Sequence, residues 1–291
     1  MAAITTAFFI VTLTFSLVNS SSADKKQVYQ HMLFTYSGGT GPNKWGSLDP
    51  KFTMCANGKS QSPINIVKAK VVVDKKLKPL IREYNSVNVT LVNNKFNVAV
   101  VYPSNCGKLI VDDKKYSLKQ MHWHSPSEHR IDGQQGGDWN SVGHAFTEKL
   151  RFAAELHLVH VADDGSVSVV GILFQLGRPD PVIEKIQNKL SELANEVRTN
   201  NEETPVTVGP FHPTEVRKNV HKYYKYVGSF TTPPCTENVT WVILAKVRSM
   251  SKEQVEALKA PLDTGCKNNN RPVQESHGRL VELYEEQPNH V

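Results

Sequence analysis

The sequence predicts a mainly β protein, α+β in class: a single domain built on a large, mostly antiparallel sheet with a few peripheral helices. Three observations lead there. Short apolar, β-branched segments recur from Gln61 onward, separated by turn residues at close intervals. Helix-start signals occur at only two places, each followed by one apolar stripe on an otherwise polar segment. Two longer segments, Gln120 to His129 and Ala153 to His160, place His122 and His124, and Glu155, His157 and Val159, at alternate positions, which share a face when the backbone is extended.

Taken in order, residues 1–23 stand apart. Ala2 to Val18 is apolar and uncharged, small residues follow, and the first charge is Asp24. The run is short and hydroxyl-rich for a spanning helix, so we expect a cleaved secretory signal and a domain over residues 24–291, with no membrane span left after cleavage. Tyr36 to Leu48, rich in Gly and Pro, reads as an irregular arm. From QSPINI (Gln61 to Ile66) strands are expected at Val71–Val73, Asn88–Val92, Phe96–Tyr102, Leu109–Val111, Ala153–Val161, Ser166–Leu176 and Val239–Val247. Asp180-Pro181 opens a helix with Ile183, Ile186, Leu190 and Leu193 at helical spacing, ending near Thr199. Ser251 with Gln254 forms a capping box that opens a second helix through Lys259.

Composition excludes several classes. With 39% hydrophobic and 21% charged residues among 291, the chain is neither disordered nor membrane-embedded. A net charge of +6 raises the question of a polyanion partner. The only dense basic cluster is Lys75, Lys76 and Lys78, which reads as a solvated face, so no nucleic-acid partner is expected. Asn88-Val89-Thr90 and Asn238-Val239-Thr240 are glycosylation acceptors, and four cysteines (Cys55, Cys106, Cys235, Cys266) are compatible with disulfides; both fit an exported protein. Spacing alone does not pair the cysteines.

The chemistry sits on the two histidine segments. In strands, His122 and His124 share a face, and Glu155, His157 and Val159 share one. If the two segments are neighbours, three imidazoles converge with Glu128 and Glu155 close by. Three neutral histidines with an open fourth position are the ligand set of a catalytic zinc. His129 and His160 read as hydrogen-bonded structural residues.

The chain also resembles the α-class carbonic anhydrases, and most closely the secreted plant type. The landmarks are GPNKWG, QSPINI, QMHWHSPSEH, AAELHLVH, GSFTTPPCTENVTW and NNNRPVQ, which run in this order from about Tyr36 to Arg279. The resemblance implies a twisted sheet of about ten strands with zinc at the foot of a conical cleft. It implies reversible hydration of carbon dioxide to bicarbonate and a proton. Zinc falls on His122, His124 and His157, whose outer ring nitrogens would be held by Gln120, the Asn269 carbonyl and Glu155. Zinc held this way lowers the pKa of its water to about 7, the established behaviour of this family. Thr231 matches a threonine whose hydroxyl donates to a buried carboxylate, here Glu128. Val159, Val169, Val239 and Trp241 match the apolar wall for carbon dioxide, Thr232 and Tyr36 the polar side of the cleft, and Phe230 stands where an aliphatic residue is common. Cys55 and Cys235 match a disulfide pair of secreted members; Cys106 and Cys266 either pair with each other or stay free.

Two departures from the family pattern matter. The position of the histidine that relays protons out of the cleft falls at Asn94, or beside it at Lys95, neither of which titrates near neutral pH, so slower turnover limited by proton export is expected. Residues 134–149 exceed the family spacing between the ligand segments and read as a surface-loop insertion. The expected protein is a secreted zinc carbonic anhydrase, monomeric or dimeric. The alternative is a storage or binding protein of the same fold with weak or no activity.

Overall fold

The two histidine segments do become neighbouring strands, and the rest of the sheet is arranged around them. The structure, a computed structural model, describes residues 33–103, 106–133, 152–200, 205–216 and 220–287. The expected signal (1–23) and the insertion (134–149) lie outside the described residues. So do His31, His144 and His290.

In chain order the strands are β1 (Asn65–Ile66), β2 (Val72–Val73), β3 (Ile81–Tyr84), β4 (Val87–Asn93) and β5 (Val98–Val101). They continue with β6 (Gly107–Val111), β7 (Lys114–His124), β8 (Arg130–Ile131), β9 (Ala154–Val161) and β10 (Val167–Leu176). The last are β11 (Val206–Phe211), β12 (Lys222–Ser229), β13 (Glu237–Leu244), β14 (Arg248–Met250) and β15 (Glu282–Glu285). Among the described residues thirteen strands form one sheet. Its main path runs β11, β4, β5, β7, β9, β10, β13, β12, β15, β2, with β14 beside β10 and the β3–β6 pair beside β7. Pairing is antiparallel except β10 with β13 and β14, and β15 with β2. A small separate pair, β1 with β8, is parallel.

The expected strands are all present, with shifted ends. The segment expected to run to Val247 ends at Leu244, where the Ala245 N–H turns to the Lys222 carbonyl and the chain re-enters the sheet as β14. Sequence reading missed β12, whose tyrosines are interrupted by Lys225. Lys225 lies between Asp112 (2.5 Å) and Glu282 (3.4 Å), so a half-buried cation is neutralised by partners far away in sequence.

Helices stay peripheral. Two short ones, α1 (Trp45–Leu48) and α2 (Met54–Asn57), lie in the amino-terminal arm. The arm is anchored rather than loose: Trp45 is fully buried, its indole N–H donates to the Thr35 carbonyl at 2.9 Å, and Phe34 and Tyr36 pack edge-on against it. In α3 (Pro181–Asn200) Asp180 caps the first turn, accepting from the Val182 N–H at 2.9 Å, and Ile183, Ile186, Leu190 and Leu193 form the buried stripe. In α4 (Lys252–Lys259) both halves of the capping box form.

One apolar core cluster lies on the site face of the sheet. Val159, Val169 and Trp241 are direct cross-strand neighbours on β9, β10 and β13, and Val239 lies two residues along from Trp241. Each of these side chains is at least nine-tenths buried, contributing about 1.5–3 kcal/mol apiece to folding. The Cys55–Cys235 disulfide forms, with Cα atoms 5.0 Å apart. Cys106 and Cys266 are buried free thiols, which decides between the two alternatives for them.

Candidate metal centre

β7 and β9 are antiparallel, with His122 directly opposite His157 and His124 opposite Glu155. A register shift between Leu118 and Gln120 sets this alignment. Strand alternation turns His122, His124 and His157 to one face, where their rings lie with centroids 4.7–5.2 Å apart. All three are buried.

Each ring has one nitrogen engaged behind it. His122 Nδ1 is 2.8 Å from Gln120 Oε1, His124 Nδ1 is 2.5 Å from the Asn269 carbonyl, and His157 Nε2 is 2.9 Å from Glu155 Oε1. All three partners are oxygen acceptors, so each histidine commits its proton outward. The opposite nitrogens, Nε2 of His122 and His124 and Nδ1 of His157, then carry bare lone pairs. These atoms converge within 4.8 Å of one another, and the two Nε2 atoms are 3.0 Å apart. Burial holds His122 well below its ordinary pKa, helped by repulsion from His124 and His157; burial also lowers His124, against the pull of Glu128. Neutral lone pairs facing one another are repulsive, and a divalent cation removes the repulsion. The donor set therefore fits zinc.

Two carboxylates complete the surroundings. Glu155 is fully buried; desolvation alone would raise its pKa, but His129 and His157 outweigh it and hold the group well below the usual range. Glu128 accepts the Arg271 N–H at Oε1 (2.8 Å). Its Oε2 has no hydrogen-bond partner and lies 3.6 Å from His124 Nε2 and 3.9 Å from His157 Nδ1. The expected bond from Thr231 to Glu128 is not among those formed.

The remaining residues fall around this cluster. Trp241 packs edge-on against the His157 ring at 4.8 Å, which joins the Val159, Val169, Val239 wall to the ligands; Phe230 packs on the same cluster, partly buried. Thr231 is buried and Thr232 partly so, in the loop that runs from Phe230 to Cys235. That loop is closed by the Cys235 N–H to the Thr232 carbonyl and held to α2 by the disulfide. The Tyr36 hydroxyl is buried without a partner, its pKa pushed well up by burial and by Glu128. Asn94 occupies the β4–β5 turn and donates to Asn97 Oδ1 at 2.7 Å. Since Ala99 pairs with His122, that turn lies beyond the His124 end of β7. Asn88 and Asn238 are exposed.

Sequence reasoning gave no task to Arg271, Tyr226 or Ser62, although the NNNRPVQ and QSPINI landmarks contain two of them. Arg271 is buried and donates to Gln61 Oε1 and to the carbonyls of Ser62 and Cys55, tying the arm to the segment after α4. His129 and His160 are buried and hydrogen-bonded, to Glu155 and Tyr226 in one case and to Tyr84 in the other.

The comparisons with known proteins agree with this geometry. The family model described as eukaryotic-type carbonic anhydrase matches residues 40–285. Alpha carbonic anhydrase 7 of Arabidopsis thaliana is 35% identical over 288 residues, covering 97% of each chain. A solved structure of dioscorin complexed with ascorbate superposes with a TM-score of 0.78 at 34% identity, covering 88% of this chain and 99% of that one. The alpha-carbonic anhydrase of Thermovibrio ammonificans, in complex with the inhibitor sulfanilamide, does so with a TM-score of 0.71 at 33% identity, over 86% and 98%. With the family model spanning the whole described sheet, and a plant relative matching almost from end to end, the chain belongs to the eukaryotic-type, or alpha, carbonic anhydrase family.

Proposed function

We propose that the protein catalyses the reversible hydration of carbon dioxide to bicarbonate and a proton, with zinc held by His122, His124 and His157. The observation that carries this is the convergence of three buried, unprotonated imidazole nitrogens beside an apolar wall. When bound, zinc supplies a hydroxide nucleophile at neutral pH. Gln120, Asn269 and Glu155 hold the three rings in the tautomers that ligation needs. Glu128 Oε2, buried and unpartnered, serves as the acceptor for the Thr231 hydroxyl, which then offers only a lone pair toward the nucleophile. Val159, Val169, Val239 and Trp241, with Phe230 narrowing the space, exclude water and receive an uncharged substrate. Thr232 and Tyr36 form the polar side. Asn94 carries no proton that titrates near neutrality, so the proton leaves by way of external buffer.

The same reading makes residues 1–23 a cleaved secretory signal, residues 24–291 the enzyme domain and 134–149 a surface-loop insertion. His124 and Glu155, one on each side of that insertion, are register partners, so the ligand strands meet despite it. The Cys55–Cys235 disulfide and the exposed acceptors Asn88 and Asn238 support passage through the secretory pathway, with glycans at those two positions. Among the described residues no helix is long and apolar enough to cross a membrane.

A second reading, a storage or binding protein of this fold, draws support from the dioscorin structure with ascorbate. One experiment separates the two: zinc content of the purified protein together with stopped-flow hydration in the presence and absence of a sulfonamide. Stoichiometric zinc with sulfonamide-sensitive hydration supports the enzyme, whereas a metal-free, inactive chain supports the second reading.

A further inference from the structure

Behind the metal centre, beyond the Glu155 bond that holds the His157 ring, runs a chain of hydrogen bonds to which the proposed reaction assigns no task. Glu155 Oε1 accepts from His157 Nε2 at 2.9 Å and from His129 Nδ1 at 2.7 Å, while Oε2 takes the N–H groups of Glu128 and His129. His129 Nε2 lies 2.6 Å from the Tyr226 hydroxyl, which lies 2.8 Å from Ser62 Oγ. Ser62 and Ser229 bond reciprocally: the Ser229 N–H donates to Ser62 Oγ at 3.0 Å and the Ser62 N–H to Ser229 Oγ at 2.9 Å. Ser229 Oγ then donates to the Phe230 carbonyl at 2.7 Å, and Thr231 follows in the chain. Ser62, His129, Glu155, His157, Tyr226 and Ser229 are each at most 1% exposed, so water does not compete for these groups.

The polarity of this chain follows from satisfying every group in it. A backbone N–H can only donate, so Ser62 Oγ accepts from Ser229, and the Tyr226 hydroxyl is the partner that remains for its own proton. With Ser62 donating, Tyr226 donates to His129 Nε2. A neutral His129 then carries its proton on Nδ1 and gives it to Glu155, which places a second N–H beside that of His157. The reverse polarity would set an unprotonated His129 nitrogen against the carboxylate. Space at the far end is also specific: a Cβ at Gly228 would lie 2.1 Å from Ser62 Oγ and 2.7 Å from the Tyr226 ring, so β12 reaches Ser62 because residue 228 has no side chain.

We propose that Tyr226 and Ser62 are positioning residues that act through His129 and Glu155 to keep the His157 proton on Nε2, leaving Nδ1 open toward the metal. The Ser62–Ser229 pair registers the loop bearing Thr231 against the same chain, so one set of bonds aligns a ligand and the substrate loop. The inference rests on the metal-centre reading above.

The test compares wild type with Tyr226→Phe, Ser62→Ala and the double variant. Three quantities are measured: the rate of zinc release to excess chelator, the visible spectrum after cobalt substitution, and the melting temperature. Tyr226→Phe keeps the ring and removes the donor, so zinc release should quicken about tenfold or more and the cobalt bands should shift. Ser62→Ala should act in the same direction and less strongly. The double variant should release zinc no faster than Tyr226→Phe, because Ser62 works only through Tyr226. Lower melting temperatures with release rate and cobalt spectrum unchanged would show a merely structural role and overturn the inference, as would additive effects in the double variant. A wild-type chain that binds neither zinc nor cobalt overturns the metal-centre reading and this inference with it; unchanged release in Tyr226→Phe, with wild type binding normally, overturns this inference alone.

Discussion

Replacing Glu128 by Gln alters the proposed site by one group and nearly no volume. Glu128 Oε1 accepts the Arg271 N–H at 2.8 Å, and a glutamine carbonyl can keep that bond, so the fold should survive. The amide nitrogen then takes the place of Oε2, the buried atom without a partner 3.6 Å from His124 Nε2. A carboxylate there can only accept, so in the proposed mechanism Thr231 donates to it and presents a lone pair to the nucleophile. An amide donates instead, and the hydroxyl of Thr231 turns around. Loss of one preorganised orienting contact of this kind costs about 2.7–4 kcal/mol, so kcat/KM should fall by about 10²–10³. Stopped-flow hydration measures the fall, and metal analysis should find zinc unchanged, since no ligand or ligand partner is touched. Thr231→Ala should lose a similar factor, and the double variant should be little worse than either alone, because the two residues act as a unit. Hydration by Glu128→Gln within about threefold of wild type, at equal zinc content, would refute the orienting role.

Asn94→His places a group with an ordinary pKa near 6.5 at the β4–β5 turn; turnover should rise and depend less on buffer concentration, and a variant with neither change would remove proton export as the limiting step. Cysteine-to-serine changes at 55 and 235 open a loop with a sequence separation of 180, so denaturant unfolding should show a loss of about 5 kcal/mol on the chain-entropy account, and a loss below about 1 kcal/mol would exclude it. His160 is fully buried against the Tyr84 hydroxyl, and burial lowers its pKa to about 4. The unfolded chain takes up this proton near pH 6.5 and the folded one only near pH 4, so the stability it contributes is complete above pH 6.5 and is lost as pH falls toward 4, by roughly 3 kcal/mol. His160→Gln should flatten the unfolding profile over that window by a like amount, measured on metal-free protein so that the ligand histidines contribute equally to both; parallel profiles would contradict the assignment.

What could be read from the sequence follows from how local its cause is. Strand alternation acts over two residues, so the common face of His122 and His124 was visible before any fold was known, and so was the cap at Asp180. β12 was not visible, because the acids that neutralise Lys225 lie on a turn before β7 and on β15. The parallel pairing of β10 with β13 leaves no trace in periodicity, yet it sets Val169 beside Trp241 and so builds the wall. The burial of Arg271 could not be read either, because the oxygens that accept from it, the Gln61 side-chain amide and the Ser62 and Cys55 carbonyls, are all far from it in sequence. The tasks of Thr231 and Glu128 came from resemblance alone, since nothing in their spacing, 103 positions apart by number, links them.

The position of the ligand strands bears on how the site holds its shape. β7 is paired with β5, β6 and β9, and β9 with β7 and β10, so both are interior strands with ladder bonds on either side. Those bonds set where the three imidazoles begin, but not how the rings turn. Ring orientation comes from acceptors on separate elements: Gln120 within β7, Glu155 within β9, and Asn269 in the segment after α4. Asn269 does more than accept from His124, because its side chain also bonds the Trp123 and Phe96 carbonyls and the Ser125 N–H, joining the end of β7 to the turn that carries Asn94. A disturbance of that segment should therefore loosen His124 and the β4–β5 turn together while leaving His122 and His157 in place. One asparagine thus ties the His124 ring to the β4–β5 turn, whereas the apolar wall is built on β9, β10 and β13.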